Sequence, residues 1–241
     1  MYVGMRPRTR ILVSRAAAGW RWSRSNRFAR AVELHPCVDL VRIGSDYGGW
    51  VVPASLLGSN AVCYCCGVGD DVSFDRAVME RWGCSVHAFD PTPKAAALAR
   101  RVAAEEPRYR FLEVGLWSSD SSVPFFAPPG ATDPNEVENW SAKRAKGGLR
   151  IEARVRSLSS LMKELGHVRL DLLKLDIEGA EYEVLGAVLR DWLDIRVICV
   201  EFHKTPSVTP MIEMTQRLQA AGYRAVALDG FDVTFVRSHA S

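Results

Sequence analysis

The sequence predicts an α/β fold with a doubly wound, mostly parallel sheet of seven strands and a C-terminal antiparallel hairpin. From residue 61 onward, short apolar runs of strand length alternate with segments whose apolar residues recur at helical spacing. The connections are short, and the last two strand-like runs flank Asp229-Gly230, a pair typical of tight hairpin turns. Repeated strand–helix alternation favours parallel strands joined by right-handed crossovers. A length of 241 residues suits one large domain of this class.

Each element is predicted from its own local pattern. An apolar run that ends in a glycine-rich turn is typical of a strand buried on both faces, and apolar residues three or four apart indicate a helix. The predicted strands cover residues 61–66, 85–89, 109–114, 170–175, 195–202, 223–228 and 233–236. The predicted helices cover residues 73–82, 91–105, 180–189 and 211–221.

The segment 115–150 interrupts this alternation because it is long, polar and rich in turn residues. Residues 116–117 and 123–126 are predicted to form an inserted hairpin, and residues 127–148 a loop that selects the acceptor. Long loops over a rigid sheet often cover substrates. The predicted organisation is a basic arm over residues 1–32 and one domain over residues 33–241 that contains this insertion.

The charge of the chain is unevenly distributed. The arm carries eight of the 31 basic residues and no acidic one, which leaves 23 basic against 28 acidic residues for the rest of the chain. Such an arm can bind nucleic acid, anionic lipid or an acidic partner, or direct organelle import. A terminus that packs Trp20, Trp22 and Phe28 onto the domain explains it equally well. Without a signal peptide or a membrane-length apolar run, the expected location is cytoplasmic.

The cysteines indicate reduced thiols. Three of the six, Cys63, Cys65 and Cys66, crowd one predicted strand, and no pair of CxxC units has zinc spacing. Neighbours on a strand point to opposite faces, so Cys65 and Cys66 cannot easily form a disulfide. We therefore expect buried, free cysteines.

A nucleotide site is predicted where the first two strands of the alternating region end. The run Cys66-Gly67-Val68-Gly69 closes the first strand, and Asp90 closes the second. Glycines there let backbone N–H groups approach a ligand, and the carboxylate can accept hydrogen bonds from ribose hydroxyls. The third glycine of a GxGxxG motif is replaced by Val72, which disfavours a pyrophosphate. The glycines can also be simple turn residues, with Asp90 as a helix cap.

A chemical site is predicted at the ends of the next two strands. Because side chains alternate along a strand, Lys174 and Asp176 share a face, as do Glu201 and His203. If the strands are neighbours, these four groups gather at one edge, and we take them as the catalytic candidates.

Two chemistries are open for this cluster. His203 can act as a base that Asp176 orients, or Asp176, Glu201 and His203 can bind a divalent ion such as Mg²⁺. Purely structural roles are equally open for the surrounding charges: an ion pair for Lys174, and helix capping for Glu178 and Glu181.

A family resemblance sharpens this interpretation. The block DLLKLDIEGAEYEVL at 171–185 resembles the signature of the FkbM-type S-adenosylmethionine (SAM) methyltransferases. Further similarity lies in CYCCGVGDDVSFD, VHAFDPTP and CVEFH. The resemblance covers roughly residues 40–237. It implies the Rossmann-like fold of class I methyltransferases, SAM as the cofactor and O-methylation as the usual reaction.

The same resemblance adds two residues to the cofactor site. It implies that the segment around Gly49 closes over the methionine part of SAM, and that Gly115 lies beside the adenine. One departure concerns Cys65, which stands where such enzymes commonly have an acid for the methionine ammonium. Asp46, Asp70 or Asp71 would have to replace that acid, or backbone carbonyls alone would serve.

The function that the sequence favours is SAM-dependent O-methylation of a hydroxyl on a small molecule or glycoside. Two other functions are open: a catalytically inactive SAM-binding scaffold, and a nucleic-acid methyltransferase that uses the basic arm. The sequence has no Asn/Asp-Pro-Pro-Tyr segment after the fourth strand, which counts against methylation of nucleobase amino groups.

Overall fold

The computed structural model describes residues 20–137, 140–142, 148–203 and 207–238. Its α-helices are α1 (Trp20–Ala31), α2 (Ser73–Trp82), α3 (Pro93–Glu105), α4 (Leu158–Leu165), α5 (Glu181–Arg190) and α6 (Thr209–Ala220). Its strands are β1 (Leu40–Ile43), β2 (Trp50–Pro53), β3 (Val62–Cys66), β4 (Ser85–Phe89), β5 (Tyr109–Leu112), β6 (Gly115–Trp117), β7 (Ser121–Phe126), β8 (Arg150–Ser157), β9 (Leu170–Leu175), β10 (Ile195–Glu201), β11 (Tyr223–Asp229) and β12 (Asp232–Arg237).

Seven strands form the central sheet, in the order β11-β12-β10-β9-β3-β4-β5. The five strands from β10 to β5 pair in parallel, and β12 pairs antiparallel with both β10 and β11. This confirms the predicted doubly wound sheet and its C-terminal hairpin. The chain order reverses between β3 and β9, and ligands of such sheets bind beyond the carboxyl ends of the strands at that point.

Burial on both faces explains why the strands read as continuous apolar runs. All six residues of β9 are buried. On β3, Cys66 belongs to the core on one face of the sheet, whereas Cys63 and Cys65 belong to the core on the other. All six cysteines of the chain have free thiols, as the sequence predicted.

Helix ends follow ordinary capping chemistry. The residue after α2 is Gly83, whose φ of 72° is left-handed, and Ser157 caps α4 by accepting a hydrogen bond from the backbone N–H of Ser160. Pro93 opens α3 at a position where a missing N–H costs nothing. These residues mark the end of α2 and the starts of α4 and α3.

The insertion is a separate three-stranded sheet rather than a hairpin. Both predicted segments are strands, but β6 and β7 do not pair with each other. Each pairs with β8, which lies between them: β6 in parallel and β7 antiparallel. The pairing was missed because β8 follows the long loop, so its partners are distant in sequence.

The C-terminal part of the basic arm packs onto the domain. Helix α1 carries Phe28, which is fully buried, and its ring lies 5.9 Å from that of Phe202. Residues 1–19 of the arm lie outside the described residues. Among the described helices, none combines the length and the apolar character that crossing a membrane requires.

Candidate active site at the carboxyl edge of the sheet

The glycine turn after β3 lies directly against the end of β9. Gly67 has a φ of +84°, and a Cβ built on it would lie 1.7 Å from the carbonyl oxygen of Asp176. The Asp176 N–H donates to the carbonyl of Cys66 at 3.0 Å, and the Gly67 N–H donates to the carbonyl of Phe89 at 2.9 Å. Only glycine fits at position 67, because both its conformation and its close neighbours exclude a side chain.

Asp90 supports this turn from β4. One carboxylate oxygen accepts the N–H groups of Val68 and Gly69, at 2.9 and 3.3 Å. The other accepts the backbone N–H of Thr92 at 2.9 Å and its hydroxyl at 2.6 Å. Asp90 thus braces the glycine turn and also holds Thr92, the residue that precedes α3.

The space above Gly69 is open. Its φ is +56°, and a Cβ built there would meet no atom within 4 Å. The Gly67–Gly69 turn therefore has open space on one side, while hydrogen bonds to Asp90 hold its backbone in place. A ligand could lie over such a turn.

The segment before β2 folds next to the glycine turn. Gly49 donates its N–H to the carbonyl of Ser45 at 3.0 Å, and a Cβ at Gly49 would lie 2.3 Å from that same oxygen. The Ser45 hydroxyl and the Ser73 N–H both bond to the carboxylate of Asp71, which ties the segment to the start of α2. These contacts occupy Asp71, one of the three acids suggested for the methionine ammonium.

Gly115 lies where β6 begins, beside the residue that follows Asp90. A Cβ at Gly115 would lie 3.1 Å from both Pro91 Cγ and Val155 Cγ1. Gly115 thus lies close to Asp90. A side chain at this position would crowd Pro91 and Val155, and glycine avoids that crowding.

Lys174 is a buried cation between the two groups of candidates. Its Nζ donates to the carbonyl of Gly67 at 2.7 Å and lies 3.4 Å from Asp176 Oδ2. Burial alone would lower the pKa of Lys174, but the charges of Asp176 and Asp75 outweigh it and the pKa is raised. Lys174 is therefore protonated and links the glycine turn to the carboxylate.

The other three chemical candidates meet at the same edge. Asp176, Glu201 and His203 each place one potential ligand atom within 4.8 Å of the others. The Nε2 atom of His203 lies 3.6 Å from Asp176 Oδ1 and 3.8 Å from Glu201 Oε2. The structure thus brings all four predicted residues, Lys174 included, into one cluster.

Two further acids belong to this cluster. Glu178 Oε1 lies 3.5 Å from His203 Nε2, and Asp232 pairs with Glu201 across the β10–β12 register. Asp232 had no sequence signal beyond its place in the hairpin, because its partner strand is 31 residues away. Glu178 has a φ of 52°, so the turn after β9 adopts a conformation that is uncommon for residues other than glycine.

Glu181 lies behind the histidine. It is fully buried at the start of α5, and its Oε1 lies 2.6 Å from His203 Nδ1. The same oxygen accepts the N–H of Gly179 at 3.0 Å. The sequence offered only a capping role for Glu181, since its spacing to His203 has no meaning until the strands are placed side by side.

Burial and the neighbouring charges shift the pKa values of three residues in the cluster. Burial alone would lower the pKa of His203, but the hydrogen bond and charge of Glu181, together with Glu201 and Glu178, raise it to about 10. Burial and the charge of Asp176 raise the pKa of Glu201 to about 7. Burial and the neighbouring carboxylates likewise raise the pKa of Asp232. At neutral pH the imidazole is protonated, and Glu201 is the group close to its titration point.

The insertion reaches the same edge. The hydroxyl of Ser141 donates to the backbone carbonyl of Glu178 at 3.3 Å, and Trp140 is buried within the core of the insertion. Residues 138, 139 and 143–147, which include Lys143 and Arg144, lie outside the described residues. The insertion therefore contacts the turn that carries the acidic cluster.

Comparisons with known proteins show the family of the chain. The model of the methyltransferase FkbM domain matches residues 58–225, a span that contains the glycine turn and every residue of the acidic cluster except Asp232. A probable methyltransferase-like protein 24 from Homo sapiens is 30% identical over 142 residues, which cover 58% of this chain and 32% of that protein. The 31-O-demethyl-FK506 methyltransferase FkbM of Streptomyces tacrolimicus is 28% identical, with 63% of this chain and 68% of that protein covered.

A solved structure of methyltransferase FkbM from Methylobacillus flagellatus covers 77% of this chain and 48% of its own, with 15% identity and a TM-score of 0.46. The chain spans about a third of the human relative's length. The matched domain extends over most of the chain and over all the candidate residues except Asp46, Gly49 and Asp232. The protein belongs to the methyltransferase FkbM domain family.

Proposed function

We propose that this protein is a SAM-dependent methyltransferase that methylates a hydroxyl group of a small molecule or glycoside. One observation carries the proposal: the turn suited to the cofactor and the cluster suited to the acceptor touch each other. They share the contact between Gly67 and Asp176, and Lys174 bonds to both. A methyl donor on one side would thus lie next to a nucleophile held on the other.

The residues present fit the cofactor. The open space above Gly69 and the backbone of the Gly67–Gly69 turn would receive SAM, with Asp90 on the ribose side, Gly115 near the base, and Gly49 and Cys66 in the surrounding wall. When bound, SAM supplies a methyl group already activated on its sulfonium. The protein therefore has to position the acceptor and remove its proton.

Glu201 is the base that the electrostatics favour. A carboxylate whose pKa is about 7 is deprotonated in a large fraction of molecules at neutral pH, and it is basic enough to accept a hydroxyl proton in the transition state. His203, with a pKa of about 10, holds its proton at neutral pH and acts as a hydrogen-bond donor rather than as the base expected from sequence. Asp176 would orient the acceptor hydroxyl between them.

The imidazolium also bears on the alternative with a divalent ion. Nε2 of His203 lies 3.5–3.8 Å from the carboxylates of Asp176, Glu178 and Glu201, so its charge offsets theirs at the place where Mg²⁺ would do so. Catalysis by the side chains alone is the mechanism that we propose. Mg²⁺ held by Asp176, Glu201 and His203 is the alternative that a chelation experiment separates.

The carboxyl groups of the cluster favour a particular class of acceptor. Four of them lie at the edge, on Asp176, Glu178, Glu201 and Asp232, and their oxygens can accept hydrogen bonds from hydroxyls. This supports an acceptor that carries several hydroxyl groups. The name of the Streptomyces relative likewise describes transfer to an oxygen.

The direct test is methyl transfer from isotopically labelled SAM to a panel of sugars, glycosides and hydroxylated metabolites, with RNA and DNA included. We expect label in at least one hydroxyl compound and none in nucleic acid, and we expect Glu201→Gln to slow the transfer about 10²- to 10⁴-fold. Label in nucleic acid alone would favour the arm-dependent alternative. SAM binding without transfer to any compound would favour the scaffold.

A further inference from the structure

The contact between Glu181 and His203 is the shortest polar contact of His203 in the site. Glu181 comes from the first turn of α5 and is fully buried, whereas His203 follows the end of β10. The 2.6 Å separation between Glu181 Oε1 and His203 Nδ1 joins two elements that lie 22 residues apart in sequence. A buried carboxylate next to a ring nitrogen defines which edge of the ring faces inward.

The opposite edge of the ring faces the acidic cluster. Nε2 has three carboxylate neighbours at 3.5–3.8 Å, all of them longer contacts than the one to Glu181: Asp176, Glu178 and Glu201. Asp232, from β12, also acts on the ring through its charge. The short contact of Nδ1 with Glu181 therefore positions the His203 ring more firmly than the longer contacts of Nε2 do.

We propose that Glu181 is the positioning residue of His203. Its carboxylate accepts a hydrogen bond from the Nδ1–H group and fixes the ring, so that Nε2 faces the carboxylates of the site. This inference rests on the proposed function and adds a role for a residue outside the predicted catalytic set. A carboxylate that orients a catalytic imidazole through Nδ1 is a recurring arrangement in enzymes.

Glu181 also has a structural contact that the test must separate. The same Oε1 accepts the N–H of Gly179 at 3.0 Å, within the turn that carries Glu178. A Glu181 substitution can therefore act by loosening the turn, without any role for the ring. The two effects differ in whether they depend on His203.

A double-mutant cycle makes this separation. Glu181→Gln keeps an oxygen that can accept from Gly179 but removes the charge behind the ring. We expect Glu181→Gln to lower kcat about ten- to hundredfold, with KM and the Kd of SAM within twofold of the parent. In the His203→Ala background it should cost nothing more. An equal loss in both backgrounds would show that Glu181 only supports the turn, and would overturn the proposal.

Glu183→Gln is the matched control, because Glu183 lies in the same first turn of α5 but is exposed. It changes the charge at the helix start without touching the ring, and it should leave kcat unchanged. Proton NMR at constant pH supplies a readout independent of turnover. The parent should show a strongly deshielded Nδ1–H resonance, absent in His203→Ala and shifted upfield in Glu181→Gln. Absence of that resonance from the parent would overturn the proposal even if the protein transfers methyl groups, and its presence would support it even if no acceptor is found.

Discussion

Nζ of Lys174 donates a hydrogen bond to the carbonyl oxygen of Gly67 at 2.7 Å, across the boundary between β9 and the turn after β3. The same ammonium lies 3.4 Å from Asp176. One buried cation thus fixes the relative position of the glycine turn and the first carboxylate of the acidic cluster. In the proposed function this places the cofactor and the acceptor hydroxyl on either side of a single rigid contact.

Gly67→Ala should destabilise the protein and prevent cofactor binding. The added Cβ would lie 1.7 Å from a backbone oxygen, so β3 and β9 would have to separate locally. Gly69→Ala is the matched control, since its left-handed φ costs about 1–2 kcal/mol but no atom obstructs the methyl group. Chemical denaturation and SAM titration of both variants measure the difference. Equal loss of stability in the two would contradict the close contact.

Glu201→Gln should lower kcat about 10²- to 10⁴-fold, the range typical of losing a general base. The glutamine keeps the shape of the side chain but cannot take up the proton, so the Kd of SAM should stay within a few-fold of the parent. Glu213→Gln, on α6, provides a control of the same chemistry away from the cluster. Near-normal turnover in Glu201→Gln would remove Glu201 from the mechanism.

The pH dependence of kcat/KM should show an acidic limb near pH 7. The pKa of Glu201 is raised to about 7, and a general base acts only when deprotonated. Activity is therefore present above pH 7 and falls about tenfold per unit below it. A limb near pH 4.5, the ordinary pKa of a glutamate, would mean that Glu201 does not act as the base in this environment.

Removal of divalent ions should leave turnover unchanged. In the proposed mechanism Glu201 takes the acceptor proton and Asp176 orients the acceptor hydroxyl, so no step depends on a bound ion. Dialysis against a chelator, followed by assays with and without added Mg²⁺, checks this. A loss on chelation that Mg²⁺ restores would instead assign Asp176, Glu201 and His203 to a metal site.

Acid should weaken the fold through His87, which is only 4% exposed on β4. Burial and the nearby charges of His167 and Arg110 lower its pKa to about 4 from the ordinary 6.5. The unfolded chain thus binds this proton more readily, and stability present above pH 6.5 is lost as the pH falls towards 4, by about 3 kcal/mol. His87→Phe should flatten this part of the stability curve, measured by urea unfolding. An unchanged slope would locate the effect elsewhere.

The central sheet was predictable because its signals are local. The strands β4 and β9 have the predicted bounds, since each is an apolar run closed by an aspartate. The strand pairing within the insertion was not predictable, because β8 pairs with two strands from which a long loop separates it in sequence. No local pattern records which distant strand a segment will join.

The candidate site also contains residues that the sequence predicted and residues that it did not. Side-chain alternation on neighbouring strands predicted the gathering of Lys174, Asp176, Glu201 and His203. Glu181 and Asp232 escaped prediction because they come from a helix and a hairpin whose approach depends on tertiary packing. The raised pKa of His203 also depends on that packing, because the carboxylates that raise it come from α5, from β10 and from the turn after β9.

The measurement that tests the central claim most directly is a calorimetric titration of the protein with SAM and S-adenosylhomocysteine, with NAD as the control. We expect micromolar binding of at least one of the two SAM ligands and no binding of NAD. Asp90→Ala should weaken that binding, because it removes the brace of the glycine turn and the carboxylate proposed for the ribose. NAD binding, or no binding of either SAM ligand, would contradict the assignment of the Gly67–Gly69 turn as the cofactor site.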